Sequence, residues 1–217
     1  VTVEGGDILV IKEDLLIVGF SERTSAKAID RLAREMSHNK EKFDILVVNL
    51  PKIRATIHLD MIFTMLDVDK FMVYPPLVTG PNKCKVFRMQ CSQGNINSIT
   101  EYSGLPKAMR ALGLEAQFIN CGGNNSFMQE REQWTSGANF FTFAPGHVIG
   151  YMHNKETFNE LSKAGFEVIS ACDVITDKKS LDPARLQAIA MEGAELSRGG
   201  GGCRCMTMPV HREKVNW

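Results

Sequence analysis

The sequence predicts a mixed α/β fold built from repeated β-β-α-β units rather than from a single doubly wound sheet. Pairs of short apolar runs are each followed by a helical stretch and a further apolar run. This order occurs near the start of the chain and again after residue 140. Doubly wound folds alternate single strands with single helices, so the paired strands favour a propeller-like α/β array.

The first predicted β-β-α-β repeat comprises a hairpin, a helix and a strand. Polar Glu13 and Asp14 separate its two apolar runs, which is typical of a β-hairpin. Apolar side chains then recur at helical spacing, and Pro51 ends the strand that follows. In chain order, the predicted elements are strands at residues 7–10 and 15–18, a helix at 26–36 and a strand at 44–50.

The remainder of the chain gives a second β-β-α-β repeat and several further elements. Between the two repeats, the predicted elements are strands at 56–63, 71–74, 86–89 and 115–120 and a helix at 105–112. The second repeat is a hairpin at 140–143 and 148–151, a helix at 155–163 and a strand at 166–170. Asp182 before Pro183 predicts a helix start, because a cap residue followed by proline opens a first turn. Residues 205–210 are predicted to form the last strand.

Composition excludes some classes of function. The 217 residues include 25 Lys plus Arg and 25 Asp plus Glu, so the net charge is zero and no basic field is available for nucleic acid or an anionic membrane. No apolar run is long enough to span a bilayer, and the first residues lack the features of a signal peptide. The six cysteines are scattered, which predicts reduced thiols and a cytoplasmic location.

The glycine-rich stretch near the C-terminus is the first candidate for chemistry. Four glycines at 199–202 give a backbone that turns sharply and approaches a ligand closely. Cys205 follows at a loop-to-strand junction, where Arg204 favours a thiolate. The alternative interpretation is a flexible linker with Cys203 and Cys205 as packing thiols. A zinc site from these cysteines and His211 lacks the Cys-x-x-Cys spacing of structural zinc sites, so no metal is expected.

Acidic residues and a histidine supply candidate partners for that thiol. Glu4 and Asp7 flank two glycines directly before a strand, and carboxylates in this arrangement suit a planar guanidinium, which takes paired hydrogen bonds. In the predicted strand 56–63, His58 and Asp60 lie on the same face, which suits a general base with a charged neighbour or two metal ligands. The alternatives are a solvated turn for the first pair and a hydrogen-bonded, partly buried histidine for the second.

Two further charged segments have a weaker functional case. Arg23, at the start of the first helix, is a candidate to bind a carboxylate at the far end of a substrate, or to pair with a surface acid. Residues 129–134 are charged and are predicted to form a helix with a solvated face.

Taken together and in this order, these segments resemble the arginine deiminase family. The resemblance runs from residue 3 to residue 212 and rests on Glu4-Gly5-Gly6-Asp7, Ser21-Glu22-Arg23-Thr24-Ser25, residues 56–63, residues 144–151, and the glycine loop through Cys205 to Pro209. The family belongs to the guanidine-modifying superfamily of five-bladed α/β propellers, the penteins. The resemblance therefore implies a pentein propeller of which residues 1–217 hold an incomplete set of about three blades, as one catalytic portion.

The resemblance implies hydrolysis of L-arginine to L-citrulline and ammonia, in arginine catabolism and without a cofactor. Cys205 matches the nucleophile that attacks the guanidinium carbon. His58 matches the acid/base that protonates the departing ammonia and then activates water against the thiouronium intermediate.

The remaining matched residues bind the substrate. Asp60 matches a carboxylate that holds the guanidinium, and Glu4 matches the acid near the substrate and His58. Arg23 matches a residue that binds the α-carboxylate of the substrate. Asp7 belongs to the same motif, and we expect it at the substrate site as a supporting rather than a reacting group.

Two departures and two rivals accompany the resemblance. The family carries another guanidinium-binding aspartate in an N-terminal half that is missing here, and residues 1–7 read like the interior of a protein, so we expect a piece of a longer chain. Gly200 stands where some relatives have an arginine, although Arg198 is kept. The rivals are a related hydrolase acting on agmatine or methylarginine, and a catalytically silent protein that binds arginine or a partner. L-arginine is the expected partner, nucleic acid and membrane are not, and a homo-oligomer stays open.

Overall fold

The computed structural model describes residues 1–199 and 201–215, so Gly200 lies outside the described residues. Its backbone forms two compact units. The first consists of Val1–Asp60 and Pro75–Ala116, and the second of Met61–Tyr74 and the described residues from Gln117 onward. In this part of the chain, no helix combines the length and apolar character that crossing a membrane requires.

The described residues form twelve strands, seven α-helices and three short 3₁₀ helices. The strands are β1 (Ile8–Lys12), β2 (Leu15–Phe20), β3 (Phe43–Asn49), β4 (Phe63–Met65), β5 (Lys70–Val73), β6 (Val86–Ser92), β7 (Asn95–Tyr102), β8 (Gln117–Asn120), β9 (Phe141–Ala144), β10 (His147–Tyr151), β11 (Glu167–Ser170) and β12 (Gln187–Met191). The α-helices are α1 (Ala26–Ser37), α2 (Pro75–Val78), α3 (Leu105–Ala111), α4 (Ser126–Trp134), α5 (Lys155–Lys163), α6 (Ala171–Ile175) and α7 (Ala194–Arg198). The 3₁₀ helices are Gly5–Asp7, Arg54–Thr56 and Leu59–Met61.

The first unit contains one mixed sheet with the strand order β1-β2-β3-β6-β7. β1 and β2 form an antiparallel hairpin, β3 lies parallel to β2, and β6 and β7 continue the sheet in antiparallel pairs. The predicted β-β-α-β order at the start of the chain is confirmed, because α1 connects β2 to β3. The sequence does not predict β7, since most of its residues are exposed and the alternation of a half-buried strand is absent.

Helix α1 is fixed on this sheet by a cap and by its apolar face. The Ser25 hydroxyl oxygen accepts a hydrogen bond from the backbone N–H of Ala28, which satisfies one of the free donors at the helix start. Ile29 is buried in one apolar cluster with Val18 of β2 and Ile45 of β3. Burial of such side chains is the main stabilising term, so the cluster fixes the strands from whose ends the candidate residues extend.

The second unit contains a four-stranded sheet, β11-β12-β10-β9, and a three-stranded sheet, β4-β5-β8. Each includes an antiparallel hairpin with a parallel third strand, β9–β10 with β12 and β4–β5 with β8. Buried side chains that include Met72, Phe140 and Leu161 form one apolar cluster. In the described residues none of the three sheets of the protein closes on itself, so the fold is mixed α/β with open sheets.

The predicted helix at Asp182 is wrong. The Asp182 side chain accepts a hydrogen bond from the N–H of Ala184, and its carbonyl oxygen accepts one from Arg185, but the turn ends there. From Gln187 the chain enters the sheet as β12, parallel to both β10 and β11. The cap and proline therefore mark a single turn before a central strand.

Candidate active site

Three segments with candidate residues lie at one end of the strands in the sheet of the first unit. β2 and β3 run parallel and end together, since Phe20 pairs with Asn49, while antiparallel β1 begins beside Val18. The same end of the strands therefore holds three segments: the one before β1, the loop after β2 and the loop after β3. In that order they carry Glu4 with Asp7, Arg23, and His58 with Asp60.

Glu4 and His58 form a direct hydrogen bond. His58 Nε2 lies 2.6 Å from Glu4 Oε2, and because an ionised carboxylate can only accept, the ring nitrogen is the donor. Gly6 allows the ring to approach, because a Cβ at that position would lie 2.7 Å from His58 Cγ and Nδ1. The His58 side chain is 17% exposed and that of Glu4 is 42% exposed. The carboxylate thus orients the imidazole and fixes which ring nitrogen carries a proton.

Arg23 lies near the other oxygen of the same carboxylate. Its Nη1 is 3.8 Å from Glu4 Oε1, and about half of the Arg23 side chain is exposed. Exposed ion pairs contribute little to stability, so this pair opens at small cost. The guanidinium is therefore accessible to a second carboxylate that enters from solvent.

Asp7 is fully buried and connects all three segments. Its Oδ2 accepts hydrogen bonds from the hydroxyls of Ser21 at 2.6 Å and Thr24 at 2.7 Å, and its Oδ1 accepts one from the backbone N–H of Leu59 at 2.9 Å. The Thr24 hydroxyl oxygen in turn accepts from the N–H of Glu4 at 3.2 Å. One carboxylate therefore fixes the backbone beneath several candidate residues, and a contact between Asp7 and a substrate stays a prediction.

The predicted strand at 56–63 is wrong over most of its length. The 3₁₀ helices Arg54–Thr56 and Leu59–Met61 occupy it, His58 lies between them, and β4 begins only at Phe63. His58 and Asp60 therefore do not share the face of a strand.

Side-chain hydrogen bonds explain why this segment folds into turns. The N–H of Leu59 binds the Asp7 carboxylate instead of a neighbouring strand, and the Thr56 hydroxyl donates to the carbonyl oxygen of Pro51 at 2.6 Å. Such local bonds compete with a strand ladder. Asp60, in the second 3₁₀ helix, is fully buried.

Cys205 lies in a turn of the second unit, not in the predicted strand at 205–210. The N–H of Thr207 donates to the carbonyl oxygen of Arg204 at 3.1 Å, so this donor closes a local turn and does not pair with a neighbouring strand. Met208 and Val210 are 82% and 88% exposed, so their side chains do not pack into an apolar core that would stabilise a strand.

Two buried side chains hold the loop that bears Cys205. Asn139 Oδ1 accepts hydrogen bonds from the backbone N–H groups of Arg204 at 2.9 Å and Cys205 at 3.4 Å. The Tyr151 hydroxyl donates to the carbonyl oxygen of Gly201 at 2.9 Å. Sequence reasoning missed Asn139 and placed Tyr151 only in a predicted strand and in the matching stretch 144–151, because no local pattern links either residue to a loop so far along the chain.

The two cysteines of this loop differ in their surroundings. Cys203 is 4% exposed, whereas Cys205 is exposed. Burial, and secondarily the neighbouring Cys205, raise the pKa of Cys203 to about 12, so it remains a neutral thiol at physiological pH. The thiolate is the nucleophilic form, which argues against Cys203 and leaves Cys205 as the accessible thiol of the loop.

The charged helix α4 is not solvated throughout, so the predicted solvated face is wrong for part of it. Glu132 is 3% exposed and accepts hydrogen bonds from the N–H groups of Glu156 and Thr157, at 2.9 and 2.8 Å, and from the Thr157 hydroxyl at 2.6 Å. It therefore caps the start of α5 from another helix.

The candidate residues are distributed over both units. The first unit brings together Glu4, His58 and Arg23 around the buried Asp7, and it contains Asp60, while Cys205 belongs to the second unit. Over residues 1–199 and 201–215, no three His, Cys, Asp or Glu side chains are grouped in a way that could hold a metal ion.

Comparison with known proteins gives one consistent family. The family model described as arginine deiminase matches residues 1–212. The chain is 36% identical over 216 residues to an arginine deiminase of Mycoplasma capricolum, which covers 99% of this chain and 48% of the relative. It is 36% identical over 217 residues to one of Bacillus cereus strain B4264, with 98% and 48% covered. It is 35% identical over 216 residues to one of Listeria monocytogenes serotype 4a, with 99% and 48% covered.

A match along almost the whole chain defines a family member rather than a shared motif. The chain belongs to the arginine deiminase family, as the resemblance of its motifs predicts. It spans about half the length of the curated relatives it matches.

Proposed function

We propose that the protein hydrolyses L-arginine to L-citrulline and ammonia through a covalent amidino-cysteine, or thiouronium, intermediate in arginine catabolism. The observation that carries this proposal is the hydrogen-bonded pair of Glu4 and His58, fixed over the buried Asp7 in a chain of the arginine deiminase family. The exposed Cys205 supplies the nucleophile, since its neighbour Cys203 is buried and neutral.

In the first step, the Cys205 thiolate attacks the central carbon of the guanidinium. A C–S bond forms and gives a tetrahedral centre. One C–N bond then breaks, and the nitrogen leaves as ammonia after it takes a proton from His58. The charge of a guanidinium is delocalised, which makes its carbon a poor electrophile, and a thiolate is nucleophilic enough to attack it.

In the second step, His58 takes a proton from water, which attacks the thiouronium carbon. The C–S bond then breaks as the C=O bond forms, the hydroxyl proton passes to solvent, and citrulline is released with the Cys205 thiolate restored. The bond from His58 to Glu4 supports this role, because it holds the ring in one orientation through both proton transfers.

Carboxylates and an arginine bind the substrate. Asp60 and Glu4 hold the guanidinium, and Arg23 binds the α-carboxylate, for which its exposed side chain is suited. Asp60 is fully buried, so a guanidinium that reaches it leaves water, and the ion pair must offset the desolvation of both charges. We assign Asp7 the task of holding the backbone beneath these groups, which accords with its three donors.

The same proposal includes a pentein-type propeller architecture in which residues 1–217 form one catalytic portion with about three blades. Its support is a repeated pattern: β1–β2 with β3, β4–β5 with β8, and β9–β10 with β12 are each an antiparallel hairpin with a parallel third strand. A cytoplasmic location is supported by six free cysteines, as expected of a reducing compartment. Assembly into a homo-oligomer stays an open part of the proposal.

The test measures citrulline formation by the full-length natural polypeptide that contains this sequence. Arginine, agmatine and methylarginine are compared as substrates. We expect arginine to be preferred, because agmatine lacks the carboxylate that Arg23 would bind. The variant Cys205→Ala should lower kcat by at least about 10³-fold, as loss of a nucleophile does in other enzymes.

Cys172→Ala is the matched control, since Cys172 is also an exposed cysteine and lies outside the glycine loop. Its activity should equal that of the wild type. Faster turnover of agmatine or methylarginine than of arginine would move the protein to a related hydrolase, and equal activity of Cys205→Ala and wild type would remove Cys205 from the mechanism.

A further inference from the structure

The loop that presents Cys205 has little regular structure of its own. No helix or strand covers residues 201–205, and the segment begins with glycine. Glycine-rich backbone loses much conformational entropy when it is fixed, so a defined position of the thiol must come from contacts outside the loop.

Asn139 makes one of these contacts, and it reaches the backbone of Cys205. Its Oδ1 accepts hydrogen bonds from the N–H groups of Arg204 and Cys205. A Cβ at Gly202 would lie 2.2 Å from the same oxygen, so only glycine fits where the loop passes. The amide therefore contacts the loop on both sides of Cys203 and binds the backbone of Cys205 itself.

Asn139 is itself held rigidly. It is 1% exposed, its N–H binds the carbonyl oxygen of Ser136 at 3.1 Å, and it lies two residues before β9. A buried side chain whose own backbone is hydrogen-bonded can hold a neighbouring loop in a defined position. The second anchor, Tyr151, lies in β10, and burial raises its pKa to about 12, so its hydroxyl remains a donor to Gly201.

The chemical nature of the acceptor matters beside a thiol that must ionise. A carboxylate in this position would repel the thiolate and favour the neutral thiol. An amide oxygen accepts the same hydrogen bonds without a net charge. Asparagine therefore combines the reach of aspartate with no electrostatic cost to the nucleophile.

We propose that Asn139 is a positioning residue for Cys205: its side-chain oxygen fixes the N–H groups of Arg204 and Cys205 and so holds the thiol in the orientation for attack. The inference rests on the proposed function for its catalytic meaning. Its structural content, one amide that orders one loop, is testable without any activity.

Two variants and one control separate positioning from stability. Asn139→Ala removes the acceptor, whereas Asn139→Asp keeps an acceptor oxygen and adds a charge. Asn154→Ala is the control, because Asn154 is equally buried at 1% in the second unit and exchanges hydrogen bonds with Thr135, away from the cysteine loop.

The first readout is amide hydrogen exchange of Arg204 and Cys205 in the full-length polypeptide. We expect both amides to exchange about tenfold faster in Asn139→Ala, as loss of one buried hydrogen bond implies. Wild-type protection should persist in Asn139→Asp and in Asn154→Ala. Unchanged exchange in Asn139→Ala would overturn the proposal, whatever the protein catalyses.

The second readout is kinetic. In Asn139→Ala, kcat for arginine should fall roughly 10²-fold with KM little changed, because misplacement of a reacting group costs about this much. In Asn139→Asp, alkylation of Cys205 by iodoacetamide should shift to higher pH, since the added charge disfavours the thiolate. A loss of kcat in Asn154→Ala as large as in Asn139→Ala would show a general stability effect and contradict positioning. If the wild type forms no citrulline, the proposed function fails while the exchange result still decides the role of Asn139.

Discussion

The two units fix their candidate residues by different means. In the first unit a buried carboxylate, Asp7, accepts three hydrogen bonds and holds the segments of Glu4 and His58. In the second unit a neutral amide, Asn139, and a phenol hydroxyl hold the loop of Cys205.

The difference accords with the charge that the proposed reaction places at each site. An imidazole that becomes protonated, or a cationic substrate, is stabilised by nearby negative charge. A thiolate is destabilised by it and needs neutral or positive neighbours. The comparison teaches that the two regions hold their candidate residues with buried groups of different charge, and three predictions test the contacts and burial on which it depends.

We expect the largest loss of stability when the Asp7 carboxylate is removed. Asp7→Ala leaves the hydroxyls of Ser21 and Thr24 and the N–H of Leu59 without their acceptor, and each such buried group costs about 1–3 kcal/mol. We expect the free energy of unfolding in urea to fall by about 3 kcal/mol or more. The control Asp14→Ala, which removes only a surface ion pair with Lys12, should cost less than about 1 kcal/mol. An equal loss of unfolding free energy in the two variants would contradict a stabilising role for the three buried hydrogen bonds of Asp7.

The next effect concerns the glycine beside Asn139. In Gly202→Ala the new methyl group would lie 2.2 Å from Asn139 Oδ1, so the amide or the loop must move, at a cost of about 1–3 kcal/mol. Gly199→Ala is the matched control, since the nearest atom would be 3.4 Å away and φ is −72°. Thermal unfolding should separate the two variants, and a drop in alkylation rate of Cys205 should occur only in the first. Identical behaviour of both would argue against a close contact at Gly202.

The third effect, small at neutral pH, is a dependence of stability on alkaline pH. Burial raises the pKa of Cys203 to about 12, so the folded protein keeps a proton that the unfolded chain loses above the ordinary thiol pKa. The stability contributed by the neutral thiol is fully present below that value and is lost as pH rises toward 12, by about 1.4 kcal/mol per pH unit. Urea unfolding between pH 8 and 10.5 should therefore show a shallower decline in Cys203→Ala than in the wild type. The exposed Cys172→Ala should not change the slope, and a parallel decline in all three proteins would place the effect elsewhere.

Much of the fold could be predicted from the sequence. Helix α5 has its predicted bounds, and β1, β2, α1 and β3 lie within two residues of theirs, because apolar periodicity, caps and proline act locally. The failures occur where a distant side chain determines the backbone. Residues 56–63 form turns because Asp7 takes the N–H of Leu59, and no local propensity encodes that bond.

The candidate site divides in the same way. Glu4, Arg23, His58 and Cys205 were accessible from motifs, since chemistry restricts which residue types can stand there. The contacts of Asn139 and Tyr151 with the loop of Cys205 were not accessible, because these hydrogen bonds depend on tertiary packing. The motif of Asp7 was visible as well, but only its burial and its three donors indicate that it holds backbone.

The central claim, that Cys205 and not Cys203 forms the covalent intermediate, has one direct test. The full-length polypeptide is mixed with arginine, quenched in acid and digested with trypsin, which cleaves after Arg204 and so places the two cysteines on different peptides. Mass spectrometry should find an amidino group on the peptide that begins with Cys205 and none on the peptide that contains Cys203. An amidino group on the Cys203 peptide, or citrulline formation with neither peptide modified at any quench time, would contradict the account.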